Sequence, residues 1–270
     1  MIGSVSIPTR RSSYDDAPGV SGERLIPIEA PIVIEINGVA YAVMMATPCD
    51  LEDFITGFVL SEGIADADEI GDIEIHPVAG GEGMVARINL PSARAAPLME
   101  RARRRLGDSS CGLCGIESIE AVLRPLAPLK ARSTVKAAAI QRGLIAMRER
   151  QSLGQATAAT HAAAFFEEDG ALVELREDVG RHNALDKVIG ALARSGTNPS
   201  EGFLAVTSRC SYELAEKAVR ARCPLLVAIS APTDLAVKRA RDAGLSLAVV
   251  ARDDSMLWVT GPTMEQTDGL

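Results

Sequence analysis

Two hydrophobic periods divide the chain. Residues 32–36 and 39–45 are β-type runs joined by Asn37-Gly38, the dipeptide suited to the two positive-φ positions of a type I′ turn, and this predicts a hairpin. Leu51, Phe54, Ile55, Phe58 and Val59 then recur at helical spacing. The helix they predict has Thr47 as N-cap, Pro48 at its first position, Asp50 at its third, and an end near Gly63. Residues 73–78 and 84–90, separated by Ala79-Gly80-Gly81-Glu82-Gly83, predict a second hairpin. His76 stands alone there and reads as structural or exposed. Residues 97–106 read as a short basic helix, and residues 1–24, polar and turn-rich, as a flexible arm without a fold.

Beyond Pro125 and Pro128 the pattern changes to short continuous apolar runs at 171–175, 203–206, 225–229 and 247–250. Helical stretches accompany them: residues 137–149, a stripe of Leu185, Val188, Ile189 and Leu192, residues 212–222, and a segment capped by Thr233 that runs to about residue 243. Such alternation predicts an α/β domain whose mostly parallel sheet is covered on both faces. The expected organisation is an arm at 1–24, a smaller hairpin-rich α+β domain at 25–108, a loop and linker at 109–130, the α/β domain at 131–262 and a tail at 263–270.

Composition narrows the function. The 270 residues are 47% hydrophobic but only 3% aromatic, so the interior rests on Ala, Val, Leu and Ile. A net charge of −8 argues against general nucleic-acid binding, because phosphate neutralisation needs a basic surface. No apolar run is long enough to span a membrane. Arg10-Arg11 is followed by Ser12-Ser13-Tyr14-Asp15-Asp16 where an export signal would be apolar. Five cysteines at irregular spacing do not form a secreted disulfide framework, and a cytoplasmic location is expected.

The chemical centre in the sequence is Ser109-Ser110-Cys111-Gly112-Leu113-Cys114-Gly115. Two thiols at this spacing can share, pass on or bridge sulfur, and the upstream run Arg101-Ala102-Arg103-Arg104-Arg105 would favour thiolate. Half of a structural zinc site is the alternative, but Cys49, Cys210 and Cys223 supply no second pair, so no metal is expected. A second candidate region lies at the carboxyl ends of the apolar strands, where ligands bind in open α/β sheets. There Arg181 and His182 follow Glu177-Asp178-Val179-Gly180, Arg209 precedes Ser211, Ser230 precedes Thr233, and Val250, Ala251, Arg252, Asp253, Asp254 and Ser255 close the last strand. Arginines and hydroxyls before helix N-termini suit phosphate or pyrophosphate. Asp178 is placed to orient His182; the alternative is a helix-entry turn capped by Asn183. His161, in Thr160-His161-Ala162-Ala163, lacks the neighbouring acid and cysteine pair of a zinc deaminase and reads as structural or ligand-contacting.

Four stretches resemble the FdhD-type sulfurtransferases, accessory proteins of formate dehydrogenase. They are Asn37-Gly38 through Leu60-Ser61-Glu62-Gly63, Ser110 to Gly115, Glu177-Asp178-Val179-Gly180-Arg181-His182-Asn183-Ala184-Leu185-Asp186-Lys187, and Ser230-Ala231-Pro232-Thr233. The resemblance implies a cytoplasmic homodimer with a cytidine-deaminase-like three-layer C-terminal domain. It also implies that sulfur is accepted from a cysteine desulfurase as a persulfide on Cys111, with Cys114 assisting. The sulfur would pass to the molybdenum or tungsten bis-guanine-dinucleotide pterin cofactor, a bound substrate rather than a permanent cofactor, before insertion into formate dehydrogenase. The cofactor-binding segment of the family falls on residues 250–255. The chain departs from the family pattern at Ala158-Ala159, at Ser208, and at Arg252-Asp253-Asp254-Ser255, where acids replace a glycine and a basic residue. Two other readings of the thiol pair remain open at this level: a thiol-disulfide oxidoreductase, and a non-catalytic chaperone of the cofactor.

Overall fold

The computed structural model describes residues 2–14, 19–96, 98 and 125–261. Cys111 and Cys114 lie outside the described residues, as does the expected basic helix at 97–106 apart from Leu98.

Within the segment expected to carry no fold, β1 (Ser4–Arg11) pairs antiparallel with β2 (Val20–Pro27). The ribbon is largely exposed on both faces, so neither strand shows the alternation that burial imposes. Next, β3 (Ala30–Ile36) and β4 (Val39–Ala46) form the expected hairpin, with Asn37 and Gly38 at φ 48° and 79° in the turn. After α1 (Leu51–Ser61), β5 (Ile73–Pro77) and β6 (Met84–Ile88) form the second hairpin. β6 joins β3 in parallel, giving a four-stranded sheet of order β4-β3-β6-β5. Phe54, Ile55, Phe58 and Val59 of α1 pack with Ile32, Ile34 and Ile36 of β3 in one core.

The helix begins later than its sequence signals suggest. Asp50, at φ 52°, is the residue before the first turn, and Thr47 is not the cap. The reason is tertiary: the Thr47 amide donates to Asp178, its carbonyl accepts from Lys187, and its hydroxyl accepts from the Val179 amide.

The second unit is built on α2 (Ala137–Arg150), α3 (Ser152–Thr157), β7 (His161–Glu167), β8 (Leu172–Asp178), α4 (Arg181–Ser195), β9 (Gly202–Val206), α5 (Tyr212–Arg220), β10 (Leu225–Ala228), α6 (Asp234–Ala243), β11 (Ser246–Val249) and β12 (Leu257–Thr260). Its sheet has the order β12-β11-β10-β9-β7-β8. β9, β10 and β11 are parallel neighbours, and β8 runs the same way beyond β7; β7 and β12 run against them. The two reversed strands carried no clear β signal. In β7 three alanines, poor strand formers, follow His161, and β12 is an edge strand that starts exposed at Leu257 rather than a continuous buried run. On one face Ile140, Leu144 and Met147 of α2 cover Ala162, Ala164 and Phe166. On the other, α4, α5 and α6 cover Ala163, Phe165, Leu204 and Leu226. The result is three layers, α/β/α. Thr233 caps α6 as expected, its hydroxyl accepting from the Ala236 amide at 3.2 Å.

Two features bind the units together. α1 and α4 cross at Gly57 and Gly190, where an added Cβ would lie 1.7 Å from the Asp186 carbonyl oxygen or 1.8 Å from that of Asp53. Around the crossing run buried ions. Lys187 and Asp178 are fully buried 2.7 Å apart, and Lys217 reaches Asp186, Ser61 and Glu62 at 2.8–3.0 Å. Asp53 of α1 receives Arg176 at 2.8 Å and Arg194 at 2.5 Å.

Candidate functional site

Because β8, β9, β10 and β11 point the same way, their carboxyl ends share one edge, where β7 and β12 begin. The fold brings together Arg181, His182, Arg209, Ser230 and residues 250–255, as the sequence predicted, and adds His161.

The turn from β8 into α4 is fixed by Asp178. One of its oxygens accepts from the Gly180 amide at 2.7 Å and from Asn183 Nδ2 at 2.9 Å; the other accepts from the Thr47 amide at 3.0 Å and faces Lys187. Asp178 therefore does not orient His182. Asn183 does not cap the helix either: Gly180 occupies that position, and the Asn183 amide ties Asp178 to the Met45 carbonyl. Glu177 turns the other way and accepts from the Leu153 and Gly154 amides at 2.8 and 2.7 Å, satisfying the first turn of α3. These roles escaped sequence reasoning because Thr47, Met45 and the α3 amides that complete them lie far along the chain. Lys187 lies opposite the apolar stripe of Leu185, Val188, Ile189 and Leu192, on a face that reads as solvent-exposed until α1 packs against α4, so periodicity gave no signal of its buried ion pair.

His182 lies half-buried with Nε2 3.2 Å from Glu213 Oε2 and 3.4 Å from Ser211 Oγ. Burial pushes its pKa below the ordinary histidine value; Glu213 opposes the shift, while Arg181 and Lys217 reinforce it. His161 is also lowered, by burial first and then by Arg181, with Asp178 opposing. Arg181 is half-buried and Arg209 exposed, and neither side chain has a hydrogen bond or ion pair among the described residues. Positive groups without partners at the mouths of two helices suit an anionic ligand.

The last loop is held by its own residues. Arg252 donates to the Ile229 carbonyl at 2.5 Å, joining the loops after β10 and β11. Asp253 is ion-paired with Arg148 of α2, and Gln141 donates to its carbonyl at 2.5 Å. The hydrogen bond and charge of Arg148 lower the Asp253 carboxyl and are matched by a rise for Arg148. Asp254 accepts from Ser255 at 3.0 Å. Val250 sits at φ 51°, a left-handed conformation that is costly for a β-branched residue and is held here by its amide bond to the Ser230 carbonyl. Between this loop and α2 opens a pocket of about 390 Å³ walled by Ile140, Leu144, Met256 and Trp258. Another, of about 580 Å³ beside Thr134, Glu168, Asn198 and Gly202, lies at the amino edge, away from these loops.

The remaining cysteines pack. Burial pushes the Cys210 and Cys223 thiols up to about 12, which keeps them protonated and unreactive. Cys49 is half-buried and is also raised, by burial, with Lys187 opposing.

Fold and edge together define an α/β protein with unpaired cationic side chains gathered at the carboxyl edge of one sheet. Residues 27–264 match the FdhD/NarQ family. The chain is 45% identical to the sulfur carrier protein FdhD of Xanthomonas campestris pv. campestris, over 97% of this chain and 95% of that one. It is 46% identical to the sulfur carrier protein FdhD of Variovorax paradoxus, over 88% and 85%. A crystal structure from Desulfotalea psychrophila, assigned as a formate dehydrogenase accessory protein, shares the fold with a TM-score of 0.75 at 22% identity, covering 96% of this chain and 97% of that one. The chain belongs to the FdhD/NarQ family.

Proposed function

We propose that this protein is a sulfur carrier, and that it sulfurates a guanine-dinucleotide pterin cofactor held at the carboxyl edge, in support of a formate dehydrogenase. The observation that carries the reading is the identity, over almost the whole chain, to proteins named sulfur carrier protein FdhD, together with the Cys111-Gly112-Leu113-Cys114 pair. The unpartnered Arg181 and Arg209 at a sheet edge support the cofactor's place, since a pyrophosphate needs bidentate cationic donors. The working unit is taken to be a cytoplasmic homodimer.

The chemistry balances as two exchanges. The Cys111 thiolate attacks the outer sulfur of a cysteine desulfurase persulfide; the donor S–S bond breaks, the desulfurase thiolate leaves, and a persulfide forms on Cys111. The Cys114 thiolate then attacks the inner sulfur, expelling hydrosulfide for the metal of the cofactor. A Cys111–Cys114 disulfide forms, because the dithiol has supplied the two electrons that reduce sulfane sulfur to sulfide. A cellular dithiol restores the pair.

Intact-protein mass spectrometry after incubation with a cysteine desulfurase and cysteine tests the first exchange. One added sulfur in the wild type and in Cys114→Ala, absent in Cys111→Ala, is the expected result. Sulfur loading indifferent to Cys111 would overturn the reading.

A further inference from the structure

His161 stands at the start of β7, opposite Asp178 in the β7/β8 register. Along β7, Ala162, Ala164 and Phe166 face α2, whereas Ala163 and Phe165 face α4, α5 and α6. Strand alternation therefore puts His161 on the α4 side, where Arg181 opens that helix. Its backbone is anchored next door, because the Thr207 hydroxyl accepts from the Ala162 amide at 2.9 Å and donates to the Ala162 carbonyl at 3.3 Å.

The charged and titratable groups of this corner come from three elements. β8 supplies Asp178, whose oxygens are taken by Gly180, Asn183, Thr47 and Lys187. α4 supplies Arg181 and His182, and the β9–α5 segment supplies Arg209, Glu213 and Lys217. Glu213 is engaged by His182 and Ser211, and Lys217 by Asp186 and Glu62. The His161 imidazole and the Arg181 guanidinium make no side-chain hydrogen bond among the described residues. Burial, and after it the Arg181 charge, lower the imidazole pKa against the opposing pull of Asp178 and so favour the neutral ring in the free protein. An arriving anion would reverse that balance, offsetting the field of Arg181 and offering the imidazolium an acceptor.

We propose that His161 and Arg181 together contact the pyrophosphate diester of the bound dinucleotide, and that the anion binds with one proton, taken from solvent onto the His161 imidazole. The proposal rests on the reading that the carboxyl edge holds the cofactor.

Isothermal titration calorimetry with GDP-mannose tests it. The pyrophosphate of this probe is a diester and does not titrate near neutrality, so any proton taken up belongs to the protein. Comparing two buffers of different ionisation enthalpy at about pH 7.5 should show uptake of about one proton, and Kd should rise by up to about tenfold per pH unit above neutrality. His161→Gln should lose the uptake, flatten the pH profile and bind about tenfold more weakly near neutrality, with an unchanged unfolding midpoint. His182→Gln, which removes the other imidazole of the edge, should retain the uptake. Binding without proton uptake, uptake that survives His161→Gln, or failure of the wild type to bind GDP-mannose would each overturn the proposal. Sulfur loading on Cys111, read separately by mass, fails or stands independently of these outcomes.

Discussion

Asp178 and Lys187 lie fully buried 2.7 Å apart with their remaining hydrogen-bonding capacity filled by Thr47, Gly180 and Asn183, whereas Arg181, from the same turn, has no partner among the described residues. One short segment, residues 177–187, thus serves two regions with opposite logic. In the junction every charge is matched, since a buried ion without its counter-ion costs several kcal/mol. At the edge, charge is left unmatched where water and ligand can reach it. Pairing marks the groups that hold the fold, and the lack of it marks those free to bind.

Mutation can break this contrast. Lys187→Met strands the Asp178 carboxylate and should cost about 3–5 kcal/mol in urea unfolding; a loss under about 1 kcal/mol would show that the pair is not the support described. Gly57→Ala forces α1 away from α4 and should cost about 1–3 kcal/mol by the same assay. Arg181→Gln should behave in the opposite way, leaving the midpoint unmoved while weakening GDP-mannose binding by about tenfold. A destabilised Arg181→Gln would assign that residue to the junction instead.

Alkaline titration sharpens the junction further. Burial works against the Lys217 ammonium, but Asp186 and Glu62 outweigh it and hold its pKa above the ordinary lysine value. A cation whose pKa is raised on folding contributes stability that is fully present below the unfolded pKa and lost as pH rises through the folded one. Unfolding midpoints should therefore drop in that alkaline window in the wild type, and Lys217→Met should lack this component. The smallest effect belongs to Asp253→Asn: its ion pair with Arg148 is exposed, so the midpoint should stay the same at low and high salt.

What could be read from the sequence was what short-range signals carry. Asn37-Gly38 specifies its turn, Thr233 its cap, and the Leu185 stripe its helix, each within a few residues. The alanines of β7 pack well but advertise no strand, and the exposed β1–β2 ribbon lacks a buried face to impose a period. Thr47 has every local mark of an N-cap, yet its polar groups are claimed by Asp178, Lys187 and Val179 from more than a hundred positions away. The edge was legible for a topological reason: once apolar strands alternate with helices, their carboxyl ends must converge. His161 joined the site only through pairing of β7 between β8 and β9.

The crossing of α1 with α4 also governs how far the molecule can be dissected. A fragment starting at residue 131 would retain the whole six-stranded sheet and its Asp178–Lys187 and Asp186–Lys217 pairs but lose Thr47, Ser61 and Glu62, exposing those pairs, stripping them of hydrogen-bond partners and taking one counter-ion from Lys217. Sheet and hairpin unit are therefore poor candidates for recombination as independent modules, and changes in either one are constrained by a contact surface that tolerates no added methyl at Gly57 or Gly190.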